Sequence, residues 1–122
     1  MTIDQSRPER ILIVEDEALI AFEVEQTLIA AGFQIAGIAG KLEAALALVE
    51  SGTCDAAVLD TNLNRVSAAP VATALTERGV PFIVTSGYSR EQLPEAFKAA
   101  PLIEKPSWPG PLVAALNSVL RT

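Results

Sequence analysis

The run Ile11-Leu12-Ile13-Val14 stops abruptly at Glu15-Asp16-Glu17, and this boundary constrains the fold more than any other feature of the chain. A short aliphatic run with no polar alternation, bounded by charge, reads as a strand covered on both faces, the pattern of a parallel sheet. A helical period follows. Ile20, Val24 and Leu28 recur every four residues with Glu23, Glu25 and Gln26 between them, and Gly32 stands where a left-handed C-terminal cap belongs.

The same strand-then-helix unit repeats along the chain. Phe33 to Ile38 is a second strand, and Lys41 to Glu50 a helix with Leu42, Leu46 and Val49 inward and Gly52 at its end. Ala56-Ala57-Val58-Leu59 is a third strand, stopping at Asp60. Ala68 to Arg78 is a third helix, with Ser67 as N-cap, Pro70 in the tolerant first turn and Gly79 as the stop. Val80 to Thr85 is a fourth strand closed by Ser86-Gly87, and Leu102-Ile103 a brief fifth. Pro94 falls inside the helical pattern of residues 90–98, which predicts a short or broken fourth helix. Pro111 to Leu120 forms the last, with Leu112, Leu116 and Leu120 on one stripe.

Alternating strands and helices imply βα units and right-handed crossovers, hence helices on both faces of a parallel sheet. The expected architecture is α/β: a flavodoxin-like, doubly wound, five-stranded parallel sheet in order 2-1-3-4-5 with five helices. In this fold, ligands sit beyond the carboxyl ends of the strands where the order reverses. A length of 122 residues accommodates one domain. Residues 1–8 read as a disordered polar lead and residues 9–122 as the domain.

Composition removes whole classes of function. With 50% hydrophobic and only 5% aromatic residues, the core must come from Ala, Val, Leu and Ile. A net charge of −6 gives no general attraction for nucleic acid, so no direct nucleic-acid binding is expected. The absence of histidine excludes His-based metal sites, Ser-His-Asp triads and phosphohistidine on this chain. The single cysteine, Cys54, cannot make an internal disulfide and reads as an ordinary thiol. The first ten residues lack an apolar signal region, and no run approaches membrane-spanning length. A cytoplasmic protein without membrane association is expected.

The residues that follow each strand carry the chemistry. Glu15 and Asp16 follow the first, Asp60 the third, Thr85 and Ser86 the fourth, and Glu104 with Lys105-Pro106 the fifth. In the expected fold these ends converge on one crevice and crowd three carboxylates, which is unfavourable without a cation or retained protons. Hard oxygen donors suit Mg²⁺, which takes one or two carboxylates plus phosphate oxygens. Three carboxylates, one Mg²⁺ and Lys105 balance to zero formal charge, and such a site can then hold a phosphoryl group. Ser86 could donate a hydrogen bond to it, and Gly87 leaves the approach open. Taken singly, each feature has a plainer reading. Glu15-Asp16 could cap the next helix, Asp60-Thr61-Asn62 could be turn chemistry, Ser86-Gly87 a turn, and Lys105 a solvated lysine.

From about Arg10 to Leu120 the chain resembles the response-regulator receiver (CheY-like) domain, and in particular a stand-alone type with a modified fourth helix. The matching segments are Ile-Leu-Ile-Val-Glu-Asp-Glu (11–17), Val-Leu-Asp-Thr-Asn-Leu (58–63), Ser-Gly-Tyr (86–88) and Glu-Lys-Pro (104–106). The resemblance implies that Glu15 and Asp16 bind Mg²⁺ together with Asp60 and the backbone carbonyl of Asn62. It implies that Asp60 is phosphorylated by a sensor histidine kinase or a histidine phosphotransfer protein. Ser86 matches the hydroxyl that moves toward the phosphoryl group, Lys105 the ion-pairing lysine, and Pro106 would follow a cis peptide bond. One departure stands out. Leu102 and Ile103 occupy the stretch where the family carries its switch aromatic, so Tyr88 is a candidate substitute and the segment around Gly87 a candidate switch.

These features imply a two-component receiver that assists its own phosphorylation and dephosphorylation and is not otherwise an enzyme. Output would come through a downstream protein partner or by passing phosphate on in a phosphorelay; a homodimer stays open, and an exposed Trp108 could anchor a partner. Two competing readings are a binding module of the same fold that signals without phosphorylation, and a small-molecule aspartyl-phosphate phosphatase. The latter class generally needs a second acid two residues after the nucleophile, where this chain has Asn62.

Overall fold

The computed structural model describes residues 8–87, 90–104 and 110–121. The chain runs β1 (Arg10–Val14), α1 (Ala18–Ala30), β2 (Gln34–Ala39), α2 (Leu42–Glu50), β3 (Ala56–Asp60), β4 (Asn62–Leu63), β5 (Val66–Ser67) and α3 (Ala69–Glu77). It continues with β6 (Phe82–Ser86), two 3₁₀ turns (Arg90–Gln92 and Glu95–Phe97), β7 (Leu102–Glu104) and α4 (Gly110–Leu120). Five strands form one sheet in the order β2-β1-β3-β6-β7, with every neighbouring pair parallel. Counting only those strands, this is the expected 2-1-3-4-5 order. Residues 1–7 of the expected lead lie outside the described residues.

Alternation along each strand sends successive side chains to opposite faces. Leu12, Val14, Ala57, Leu59 and Val84 pack toward α2 and α3 with Val49, Val71 and Leu75. Ile11, Ile13, Ala56, Val58 and Ile83 pack toward α1 and α4 with Val24, Leu28, Leu112 and Leu116. Both faces are therefore covered, which is why β1 reads as an unbroken apolar run. The core uses aliphatic side chains almost throughout, joined by Phe33, Phe82 and Phe97.

Local signals ended the helices as expected. Gly32 adopts φ +97°, while Phe33 N–H donates to Leu28 O and Gly32 N–H to Ile29 O, both at 3.0 Å. These are the paired bonds of a Schellman cap. The start of α3 differs in detail from expectation. Its N-cap is Ala68 rather than Ser67, because Ser67 is drawn into β5. Ser67 Oγ still accepts from Ala69 N–H at 3.1 Å, so the hydroxyl serves the helix start from one residue further out.

Two features depart from a regular doubly wound fold. The fourth helix is reduced to the two 3₁₀ turns, broken around Pro94 as its ring predicts. Leu93 and Phe97 nonetheless reach the interior, and Arg90 Nη1 donates to Lys98 O at 2.9 Å and Ala100 O at 3.1 Å. The second feature is the antiparallel hairpin β4–β5, in a stretch to which the sequence pattern assigned no strand. Its central residues Asn64 (φ 51°) and Arg65 (φ 68°) are both left-handed, as a tight hairpin turn of this hand requires. Among the described residues, no helix is long and apolar enough to cross a membrane.

Candidate acidic site

Two strand ends bring the acids together. β1 ends inside the sheet, and Glu15 N–H extends its pairing with β2 by donating to Ala39 O at 2.9 Å. Glu15 is therefore held at the strand end and is buried, with 5% exposure. Asp16 is the next residue, half-buried at the mouth of the crevice. Asp60 closes β3, pairs in register with Thr85 of β6, and is 7% exposed. One carboxylate oxygen from each of Glu15, Asp16 and Asp60 lies within 4.8 Å of the other two.

Backbone donors hold the outer acids in place. Glu17 N–H donates to Glu15 Oε2 at 3.1 Å; this does not cap α1, whose N-cap residue is Glu17 itself and makes no side-chain cap bond. Asn64 N–H, at the tip of the β4–β5 hairpin, donates to Asp16 Oδ2 at 3.0 Å. Asn62 N–H approaches Asp60 Oδ1 at 3.5 Å, and Asn62 is otherwise exposed on β4. Like charges this close repel, and N–H donors offset the repulsion only partly.

The donor set fits a hard divalent cation. Octahedral Mg²⁺ sits about 2.1 Å from each oxygen, so its protein ligands lie about 3–4 Å apart, a spacing that small side-chain rotations reach from the observed one. Glu15, Asp16 and Asp60 would supply that set.

Ser86 ends β6, one residue beyond the partner of Asp60, and is 1% exposed. Thr61 Oγ1 donates to Ser86 Oγ at 3.3 Å. Gly87 is exposed, and a Cβ added there meets nothing within 4 Å among the described residues. Leu102 pairs with Val84 in β7 and packs, half-buried, against the α2–α3 side of the core. Tyr88, Lys105, Pro106 and Trp108 lie outside the described residues. Two contributors escaped the sequence reading. Asn64 carried a faint signal, since Asn tolerates left-handed backbone. Thr61 carried none, because its role depends on a strand contact 25 residues away.

A groove of about 690 Å³ lies at the other end of the sheet between Pro8, Asp55, Phe82, Pro101 and Leu120. Asp55 is occupied there, its Oδ2 accepting from Arg10 N–H at 2.8 Å. Nearby Cys54 is half-buried, and burial pushes its thiol above the ordinary range, consistent with an unreactive side chain.

Comparison with known proteins bears on this geometry. Residues 11–117 match the response regulator receiver domain family. The transcriptional regulatory protein PdtaR of Mycobacterium tuberculosis is 31% identical over 98 residues, which cover 80% of this chain and 48% of that protein. The chain thus spans about half the length of the curated relatives it matches. SdrG from Sphingomonas melonis Fr1 superposes with a TM-score of 0.81 at 37% identity, over 94% of this chain and 98% of SdrG. A BeF3-activated conformation of SdrG, from Pseudomonas melonis Fr1, gives a TM-score of 0.75 at 38% identity, over 91% and 95% of the two chains. The strand order, the acids at the ends of β1 and β3, and the family match over most of the sequence agree: the chain belongs to the response-regulator receiver-domain family.

Proposed function

We propose that this domain accepts a phosphoryl group on Asp60 from a phosphohistidine of a partner protein in the cytoplasm and acts as a phosphorylation-dependent switch for protein binding or as a relay intermediate. The observation that carries this reading is the convergence of Glu15, Asp16 and Asp60 within 4.8 Å at the strand ends, beside the buried hydroxyl of Ser86. A carboxylate oxygen of Asp60 would form the new O–P bond as the donor histidine's P–N bond breaks, with the imidazole keeping the electron pair. Glu15, Asp16 and Asp60 would hold Mg²⁺, with the Asn62 carbonyl assigned to the same ion on the family resemblance. When bound, Mg²⁺ neutralises charge on the transferring group. Ser86 would donate to a phosphoryl oxygen, and Lys105 is assigned the balancing positive charge. Gly87, with no side chain of its own beside Ser86, would leave the donor and, later, a hydrolytic water a route to the acceptor. The domain is proposed to assist these steps on itself and to turn over no separate substrate. That the SdrG relative adopts a BeF3-activated conformation supports a switch of this kind.

A second reading, phosphorylation-independent binding through the same fold, draws on Leu102, an aliphatic side chain packed into the core where the resemblance calls for a switch aromatic. One experiment separates the two. The protein is incubated with Mg²⁺ and acetyl phosphate or a competent phosphohistidine donor, and acid-labile phosphate is measured by intact mass beside Asp60→Asn. Stoichiometric labelling of the wild type alone is expected. An unlabelled wild type with every competent donor would leave the binding-module reading standing, and multiple turnover of small phosphate esters would instead favour a phosphatase.

A further inference from the structure

We propose that Asn64 is a positioning residue: its backbone N–H, at the tip of the β4–β5 hairpin, presets the Asp16 carboxylate for a divalent cation, so that closing the hairpin and binding the cation favour each other. The inference rests on the cation half of the proposed function and not on Asp60 as phosphoryl acceptor.

Asn64 N–H donates to Asp16 Oδ2 at 3.0 Å across 48 positions of sequence. Asp16 is the half-buried acid of the cluster, whereas Glu15 and Asp60 are buried. A half-exposed Asp side chain has several rotamers open to it, and repulsion from two neighbouring carboxylates pushes it outward. An amide in a fixed place selects one orientation. That orientation is close to a ligating one, because the three acids lie within 4.8 Å of one another with the bond in place. A carboxylate has about four acceptor positions on its two oxygens. Oδ2 can therefore keep the amide while the group ligates a cation.

The amide is only as well placed as the hairpin that carries it. The base is secure: Leu63 is 2% exposed, and Ala68 N–H donates to Thr61 O at 2.8 Å. The tip is less so. Asn64 and Arg65 are exposed and left-handed, at φ 51° and 68°. Asn tolerates that region, but Arg adopts it at a cost. A turn under that cost closes more firmly when its acceptor is fixed, and a cation bound by Asp16 would fix it. Such a coupling runs equally in both directions.

The plain alternative is that the bond only steadies the hairpin and leaves the cation indifferent. Mg²⁺ affinity of the unphosphorylated protein is measured by titration calorimetry, below the melting temperature of every variant. Asn64→Ala penalises the left-handed turn, and Asn64→Gly does not; both keep the N–H. Asn64→Ala should bind Mg²⁺ about threefold to tenfold more weakly, the scale of one hydrogen bond, and Asn64→Gly about as tightly as wild type. Adding Arg65→Gly to Asn64→Ala should recover affinity by easing the turn, although the bond to Asp16 comes from position 64. Amide exchange gives the reciprocal reading. Saturating Mg²⁺ should slow exchange at Asn64 by about threefold to tenfold in the wild type, and Asp16→Asn should abolish the slowing.

Equal affinity in wild type and Asn64→Ala would overturn the proposal. So would an equal loss in Asn64→Gly, which would trace the effect to the missing side chain. Faster Asn64 exchange with Mg²⁺ would also overturn it, by marking a cation that pulls Asp16 off the amide. A wild type that binds no Mg²⁺ removes the proposal together with the cation site, whereas failure of Asp60 to take label with Mg²⁺ bound would sink only the acceptor reading.

Discussion

The two flanks of the acidic site are built by different means. On the β1–β3 side, backbone N–H groups do the holding: Glu17 on Glu15, Asn64 on Asp16 and Ala68 on the Thr61 carbonyl. On the other side, between β6 and β7, a helix is replaced by two short turns. Among its described residues, that segment buries Leu93, Phe97 and Ala100 and is tied by the bonds of Arg90 to Lys98 O and Ala100 O. On the proposed function, the contrast follows from what each flank would do. Carboxylates that repel one another keep a productive geometry only if rigid donors fix them. A segment that reports a change needs a second arrangement close in energy, which short turns give more readily than a regular helix does.

Removing the main anchor of the loose flank should have the largest effect. Phe97→Ala empties a fully buried site and is expected to cost about 3–5 kcal/mol in urea unfolding; a cost below about 1 kcal/mol would mean the segment is not packed as described. Arg90→Met removes two hydrogen bonds to carbonyls and should cost about 1–2 kcal/mol. Hydrogen exchange should show that loss in residues 90–100 while β1 and β3 stay protected. Equal loosening of both flanks would erase the distinction.

The rigid flank should respond to charge. Asp60→Asn relieves repulsion within the acid cluster, so without divalent ions it is expected to be more stable than wild type by about 1 kcal/mol. Millimolar Mg²⁺ should stabilise wild type and close the gap, since a ligand that binds only the folded state stabilises it. If Mg²⁺ raises both melting temperatures equally, Asp60 is not part of a cation site. The smallest effect is expected at the hairpin tip. Arg65→Gly places a residue without a left-handed penalty at φ 68° and should add about 0.5 kcal/mol, read from the denaturant midpoint.

Much of the molecule was legible along the chain because its signals are local. An unbroken aliphatic run marks a strand covered twice, Gly32 and Gly79 mark helix ends, and Pro94 breaks a helix wherever the rest of the chain lies. The positions of Glu15, Asp16 and Asp60 were legible for a related reason: residues that end parallel strands share one edge, so strand order alone gathers them. Their spacing, the hairpin over Asp16 and the bond from Thr61 to Ser86 were not legible. Each depends on contacts between residues far apart in sequence, 48 positions for Asn64 and Asp16 and 25 for Thr61 and Ser86. The sequence by itself therefore determined the layered fold and the edge where the acids collect, since periodicity and chain breakers act within a few residues. Only the tertiary structure decided which donors aim those acids and how Ser86 is held, because a hydrogen bond is set by distance and direction in space.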